Sequence, residues 1–74
     1  MKNKYNVNMI TEYHYNDGRS QMNTTFIGTT YAVSDKKAIA QVKYREGIYN
    51  SDLGEYYIRD GYKKVRMEAV LLND

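Results

Sequence analysis

His14 is the only histidine in the chain, and Glu12 lies two residues before it. Side chains two positions apart in a strand share one face, so this pair could transfer a proton as general acid and base. Catalysis would also need a nucleophile or a substrate pocket beside the pair, and the sequence indicates neither. We therefore interpret His14 as an exposed residue near a turn and predict that the protein is not an enzyme.

The residue types argue equally against a metal or a cofactor. The chain has no cysteine and a single histidine, whereas the usual zinc sites draw most of their ligands from these two types. Its five glycines are spread singly, so they predict turns, a helix end, a loop and, at Gly28, a bulge or close approach in the second strand, rather than a phosphate-binding loop. We expect neither a metal site nor a cofactor.

The segment YYIRDGYKKVR, residues 56–66, combines aromatic and basic side chains around an Asp-Gly pair. If Asp60-Gly61 forms a two-residue hairpin turn, Arg59 faces Tyr62 and Tyr57 faces Lys64. Ile58 then faces Lys63, and Tyr56 faces Val65. This register predicts a core side, with Lys63 near the turn, formed by Tyr56, Ile58, Val65, Met67, Ala69 and Leu71.

The opposite side of this hairpin carries the candidate binding residues, which are Tyr57, Arg59, Tyr62, Lys64 and Arg66. Rings and cations together are suited to an acidic protein surface, or to bases and phosphates. The same residues also suit a solvated sheet face, whose cross-strand pairs contribute roughly 0.2 to 1 kcal/mol each. All three interpretations stay open at the level of sequence.

Alternating apolar positions predict a first strand over residues 4–15 and a second over residues 20–33. Between them, Asp17-Gly18 predicts another two-residue turn. In that register Tyr13 faces Met22 and Met9 faces Phe26, which makes one side continuously apolar. The other side is mostly polar and is interrupted by two isoleucines, Ile10 and Ile27.

A helix is predicted in the segment DKKAIAQVKYREG, with Ser34 as N-cap and Gly47 just after its end. Ala38, Ile39 and Val42 form one narrow apolar stripe, so the helix should lie on a sheet. Strands over residues 55–59 and 62–72 follow. We expect an α+β fold with the order β-β-α-β-β, in which one helix covers one face of a mainly antiparallel four-stranded sheet.

Composition favours one compact domain over residues 1–74 that is ordered, because 42% of the residues are hydrophobic and 27% are charged. The absence of cysteine suits a reducing compartment, and no segment has the length and hydropathy of a signal peptide or a membrane span. We therefore expect a cytoplasmic protein without a membrane partner. The net charge of +2 makes nucleic acid a secondary candidate partner.

The layout of two hairpins around AVSDKKAIAQVKYREG resembles that of small proteins encoded by phages and mobile elements, including some anti-CRISPR proteins. That resemblance implies a non-enzymatic inhibitor that occludes a host protein or nucleoprotein complex in the host cytoplasm. Mimicry of DNA by charge is disfavoured because the chain is slightly basic. The alternatives are a small single-strand nucleic-acid-binding module and a self-associating accessory protein, since strand edges can pair in a homodimer.

Overall fold

The computed structural model describes residues 1–72, which form four strands and one α-helix in the predicted order. The elements are β1 (Asn3–Tyr15), β2 (Ser20–Ala32), α1 (Asp35–Glu46), β3 (Gly54–Ile58) and β4 (Gly61–Leu71), with a 3-10 turn at Asn50–Asp52. The strands make one antiparallel sheet in the order β2-β1-β4-β3. The helix packs against one face of this sheet, so the predicted fold class is confirmed. Within residues 1–72, no helix is long and apolar enough to cross a membrane.

The ends of α1 lie where the sequence predicts them. The Ser34 side chain accepts a hydrogen bond of 3.2 Å from the backbone N–H of Lys37. Gly47 adopts a left-handed conformation with φ of 68°, and the N–H of Ile48 bonds to the carbonyl of Lys43 at 2.9 Å. These contacts satisfy backbone groups that would otherwise be left unpaired at each end.

The core lies between α1 and the sheet face that we call the covered face. Its buried residues are Tyr5, Val7, Ala32, Ala38 and Val42, and Ile27, Ile39, Met67 and Ala69 pack against them. The predicted helix stripe is confirmed, because Ala38 and Val42 are buried and Ile39 packs beside them. The opposite sheet face is called the open face below.

Truncating Val42 to alanine should lower the free energy of unfolding by about 2 kcal/mol, since the side chain is fully buried and its removal leaves a cavity. Val33 offers a matched control, because it is exposed just before the helix, and the same change there should alter stability by less than about 0.5 kcal/mol. Urea denaturation of both variants checks this. Equal losses would contradict the assignment of the core.

The helix covers only part of the sheet. Twelve residues make a helix about 18 Å long, whereas the molecule extends over 46 Å. Towards β3, the 3-10 turn continues the cover: the Tyr56 hydroxyl donates to the Ser51 carbonyl and, at 3.0 Å, to the Leu53 carbonyl. The far ends of β1 and β2 extend beyond both elements.

The first hairpin differs from its predicted register by one residue. Its loop contains Asn16, Asp17 and Gly18, because the N–H of Tyr15 bonds to the carbonyl of Arg19 at 2.9 Å. Among residues 1–72 positive φ angles occur at glycines alone, and Gly18 has φ of 91°. Asp17 therefore lacks the conformation that a type I′ turn requires, and a three-residue loop forms instead.

This shift moves two apolar side chains to the other face of the sheet. Met22 lies opposite Glu12 and Phe26 lies opposite Asn8, so the predicted pairings with Tyr13 and Met9 are wrong. The shift ends between Val7 and Asn8 on β1, where an extra residue of β2, Ile27, forms a bulge. Beyond this bulge, the β2 residues that the core needs lie on the covered face again.

The register of the second hairpin also differs from the predicted one, but the consequence is smaller. Ile58 pairs with Gly61 and Tyr57 pairs with Tyr62, so the turn is Arg59-Asp60 rather than Asp60-Gly61. Gly61 has no positive φ and begins β4, where it lies against Tyr15 of β1. The four predicted pairs are therefore wrong. The two sides of the hairpin are still as predicted, because each residue's partner is shifted by an even number of positions and side chains alternate between the faces.

Candidate binding surface on the open face

The registers define rows of side chains that cross the open face from β2 towards β3. The row nearest the hairpin turns consists of Ser20, His14, Tyr62 and Tyr57, and the next consists of Met22, Glu12, Lys64 and Glu55. The two rows after these contain Thr24, Ile10 and Arg66, then Phe26, Asn8 and Glu68.

The structure brings four of the five predicted binding residues together on this face, namely Tyr57, Tyr62, Lys64 and Arg66. Arg59 lies apart from them in the turn between β3 and β4. Four of the predicted residues therefore form one surface, and Arg59 lies beside it. This surface also extends onto β1 and β2.

An aromatic row crosses this surface beside the hairpin turns. The rings of His14 and Tyr62 stack, with centroids 4.9 Å apart and planes at 16°. Tyr57 lies directly opposite Tyr62 and is 97% exposed. Tyrosine has few rotatable bonds for its area, so such rings contribute much to binding when a partner covers them.

The charges on this surface are balanced. The Lys64 ammonium lies 3.4 Å from the Glu55 carboxylate and 6.0 Å from the centre of the Tyr62 ring. Glu12 faces Lys64 across β1 and β4. Glu12, Glu55 and Glu68 thus lie beside Lys64 and Arg66 on this face. Their charges offset one another, whereas a phosphate backbone is attracted by an excess of positive charge.

A shallow hollow of about 400 Å³ lies at the β3 end of the aromatic row, where it is lined by Glu55, Tyr56, Tyr57 and Tyr62. Tyrosine rings and a carboxylate are suited to a cationic side chain, which they attract by ring electrostatics and by charge. A partner's side chain could insert in this hollow.

Two apolar residues belong to the surface but were assigned to the core side from sequence. Met22 and Phe26 are 57% and 59% exposed, and both lie on the open face. The signal that could have located them is Asn16-Asp17-Gly18, because a three-residue loop ending in glycine is a common hairpin alternative. Counting from that loop places Met22 opposite Glu12.

Ile10 lies in the middle of the open face and is nevertheless only 4% exposed. It pairs with Thr24 on one side and Arg66 on the other. Met22 and Phe26 flank Thr24 on β2, within diagonal reach of Ile10. Ile10 is thus the apolar centre of the open face, which distinguishes this face from a purely solvated one.

Within the part of the chain that the structure describes, no three His, Asp or Glu side chains group in a way that could hold a metal ion. His14 and Glu12 do share the open face as expected, and His14 stacks on Tyr62.

The fold and this surface define a small α+β protein with one antiparallel sheet, one face of which displays aromatic residues. Comparison of the chain with protein-family models, with curated proteins and with solved structures finds no match.

Proposed function

We propose that this protein is a non-enzymatic binding protein that docks on another protein through the open face of its sheet. The observation that carries the proposal is the exposed aromatic row, in which Tyr57 is 97% exposed beside the stacked pair Tyr62 and His14. Aromatic residues with nearby arginine are enriched where proteins bind one another. Met22 and Phe26 enlarge the apolar area of the same face.

The balanced charge favours a protein over nucleic acid as the partner. A single-strand binding surface combines rings with a positive groove along the backbone path, whereas here Glu55 pairs with Lys64 and Glu12 faces the same lysine. A partner with an apolar centre and a carboxylate for the exposed Arg66 fits the surface better. Nucleic-acid binding stays the alternative, and its signature is affinity that falls steeply with salt.

The resemblance to anti-CRISPR proteins would make the partner a host nuclease complex in the cytoplasm. It stays a prediction, since it depends on layout alone. The direct test is a DNA-cleavage assay with purified nuclease complexes and graded amounts of this protein. Inhibition that is lost on changing Tyr57 and Tyr62 would support occlusion by the open face.

The double variant Tyr57→Ala/Tyr62→Ala should weaken binding to the partner at least about 10-fold, because it removes the largest rings of the surface. The partner is first recovered from host lysate by affinity capture, with and without nuclease treatment, and is then purified. Isothermal titration with the purified partner measures the loss.

The matched control is Tyr44→Ala/Tyr49→Ala, which removes two exposed tyrosines on the helix and in the loop after it. Its affinity should equal that of the unmodified protein. Unchanged affinity in the Tyr57/Tyr62 variant would overturn the open-face assignment. Capture that disappears after nuclease treatment would instead establish the nucleic-acid alternative.

A further inference from the structure

Strand β2 forms one outer edge of the sheet and lacks the usual protection of an edge strand. Over the 13 residues Ser20–Ala32 it contains no charged residue and no proline. Edge strands in monomeric proteins are generally short, or they carry lysines or prolines that prevent pairing with another chain. The other edge strand, β3, has only five residues and contains Glu55.

The hydrogen bonds of β1 show which backbone groups of β2 face outwards. The N–H of Tyr15 bonds to Arg19, whereas the carbonyl of Lys4 accepts from Leu72 beyond β4. Since the direction alternates along an antiparallel strand, odd-numbered residues of β1 bond to β2 and even-numbered ones to β4. The β2 partners of even-numbered residues therefore direct their N–H and C=O outwards, and these are Ser20, Met22, Thr24, Phe26, Thr29 and Tyr31.

The half of this edge nearest the helix is partly occupied by a side chain of α1. Arg45 of α1 donates a hydrogen bond of 3.2 Å to the outward carbonyl of Thr29. Its guanidinium lies over Gly28, where a Cβ atom would come within 2.5 Å of Nη2. The bulge at Ile27 separates this partly occupied half from the rest of the strand. The free edge is therefore the segment Ser20–Phe26.

Every residue of the free edge Ser20–Phe26 is exposed. The helix lies over the other end of the sheet and the 3-10 turn lies over β3, so neither element reaches this segment. The four outward residues Ser20, Met22, Thr24 and Phe26 thus present an unbroken row of donors and acceptors, beside two exposed apolar side chains.

We infer that two copies of this chain associate by antiparallel pairing of their free edges, Ser20–Phe26, about a two-fold axis at Asn23. This register pairs Ser20 with Phe26 of the second copy and Met22 with Thr24. It uses all four outward residues of each chain and forms about eight hydrogen bonds, since each such pair exchanges two. A register shifted by one pair in either direction would use fewer of these outward residues and form fewer hydrogen bonds.

A second copy is the occupant that the free edge fits best. A two-fold contact joins a surface to itself, so a charge near the axis would lie close to its own copy, and the segment has no charge. Met22 of one copy would also lie diagonally across from Phe26 of the other, a sulfur and ring contact that is favourable. A charged peptide would find no complementary charge along this edge.

The association goes beyond the proposed function and does not depend on it. Pairing at β2 joins the two sheets into one sheet of eight strands and places the two open faces side by side. The aromatic rows, which lie towards β3, would stay accessible at the two far ends. A dimer of this kind would present two copies of the candidate binding surface to a partner.

The mass in solution tests the association directly. Sedimentation equilibrium over a range of concentrations should give twice the 8.7 kDa of one chain. Thr24→Pro should give the monomer mass, because it removes an outward N–H that the fold does not use. Thr24→Lys, which restores edge protection, should do the same if the proline variant fails to fold. Val33→Lys, just beyond β2, is the control that should stay dimeric.

Single cysteines test the register, because the chain has none of its own. Asn23→Cys would place two thiols at the axis with Cα atoms roughly 4.5 to 5.5 Å apart, within the range of a disulfide. Mild oxidation should therefore link Asn23→Cys chains almost completely, whereas Thr25→Cys chains, four positions apart across the axis, should stay unlinked. A monomer at every concentration, or preferential linking of Thr25→Cys, would overturn the inference.

Discussion

Replacing Gly61 by alanine should destabilise the fold by more than about 3 kcal/mol and leave much of the protein unfolded at room temperature. A Cβ atom on Gly61 would overlap the carbonyl oxygen of His14 and lie 2.9 Å from the carbonyl carbon of His14 and from the Cα of Tyr15. These are backbone atoms of a central strand, so they cannot move aside as a side chain could. The small size of the protein makes such a loss comparable with its whole stability.

The controls for Gly61→Ala are alanine substitutions at Gly18 and Gly54. Both glycines have positive φ, of 91° and 112°, but neither would place a Cβ within 4 Å of another residue. They should therefore cost about 1 kcal/mol each through backbone conformation alone. Urea denaturation followed by circular dichroism measures all three. A Gly61 variant as stable as the controls would show that β4 and β1 are farther apart than described.

Replacing Ile10 by aspartate should cost at least about 3 kcal/mol, although Ile10 is on the face without a helix. The side chain is only 4% exposed, so the change removes a buried apolar group and places a carboxylate where water reaches it poorly. Thermal and urea unfolding give the loss.

Arg66→Asp is the matched control, because Arg66 is the exposed neighbour of Ile10 across β1 and β4 and lies outside the β2 edge. It introduces the same carboxylate on the same face and should cost no more than about 1 kcal/mol, which is the range of strand propensity. Similar losses in both variants would mean that the open face is uniformly solvated. In that case the apolar centre ascribed to Ile10 would be wrong.

Elements that depend on neighbouring residues were predicted well. Ser34 and Gly47 identify the ends of α1 because a helix cap is a local contact between residues three or four positions apart. The strand alternation and the two turns likewise predicted two hairpins around a helix, and this order leads to an antiparallel sheet. The sides of the second hairpin were predicted correctly for the same reason, since alternation survives an even shift.

The registers could not be predicted from the Asp-Gly pairs. Asp17-Gly18 and Asp60-Gly61 are the same dipeptide, yet Gly18 adopts positive φ in a three-residue loop and Gly61 begins a strand. Their difference arises from the central pairing of β1 with β4, which fixes where Gly61 must lie. Sequence alone contains no information on that contact between strands 46 residues apart in the chain, Tyr15 to Gly61.

The element order, the helix and its buried stripe can be predicted from the sequence alone, and so can the shared face of Tyr57, Tyr62, Lys64 and Arg66. These follow from periodicity and capping, which are local properties. Three features required the three-dimensional structure: Met22 and Phe26 join that face, Ile10 forms its centre, and Arg45 bonds to the outward edge of β2. Each of these depends on a register or a contact between distant segments, where a shift of one residue reverses the face of a whole strand.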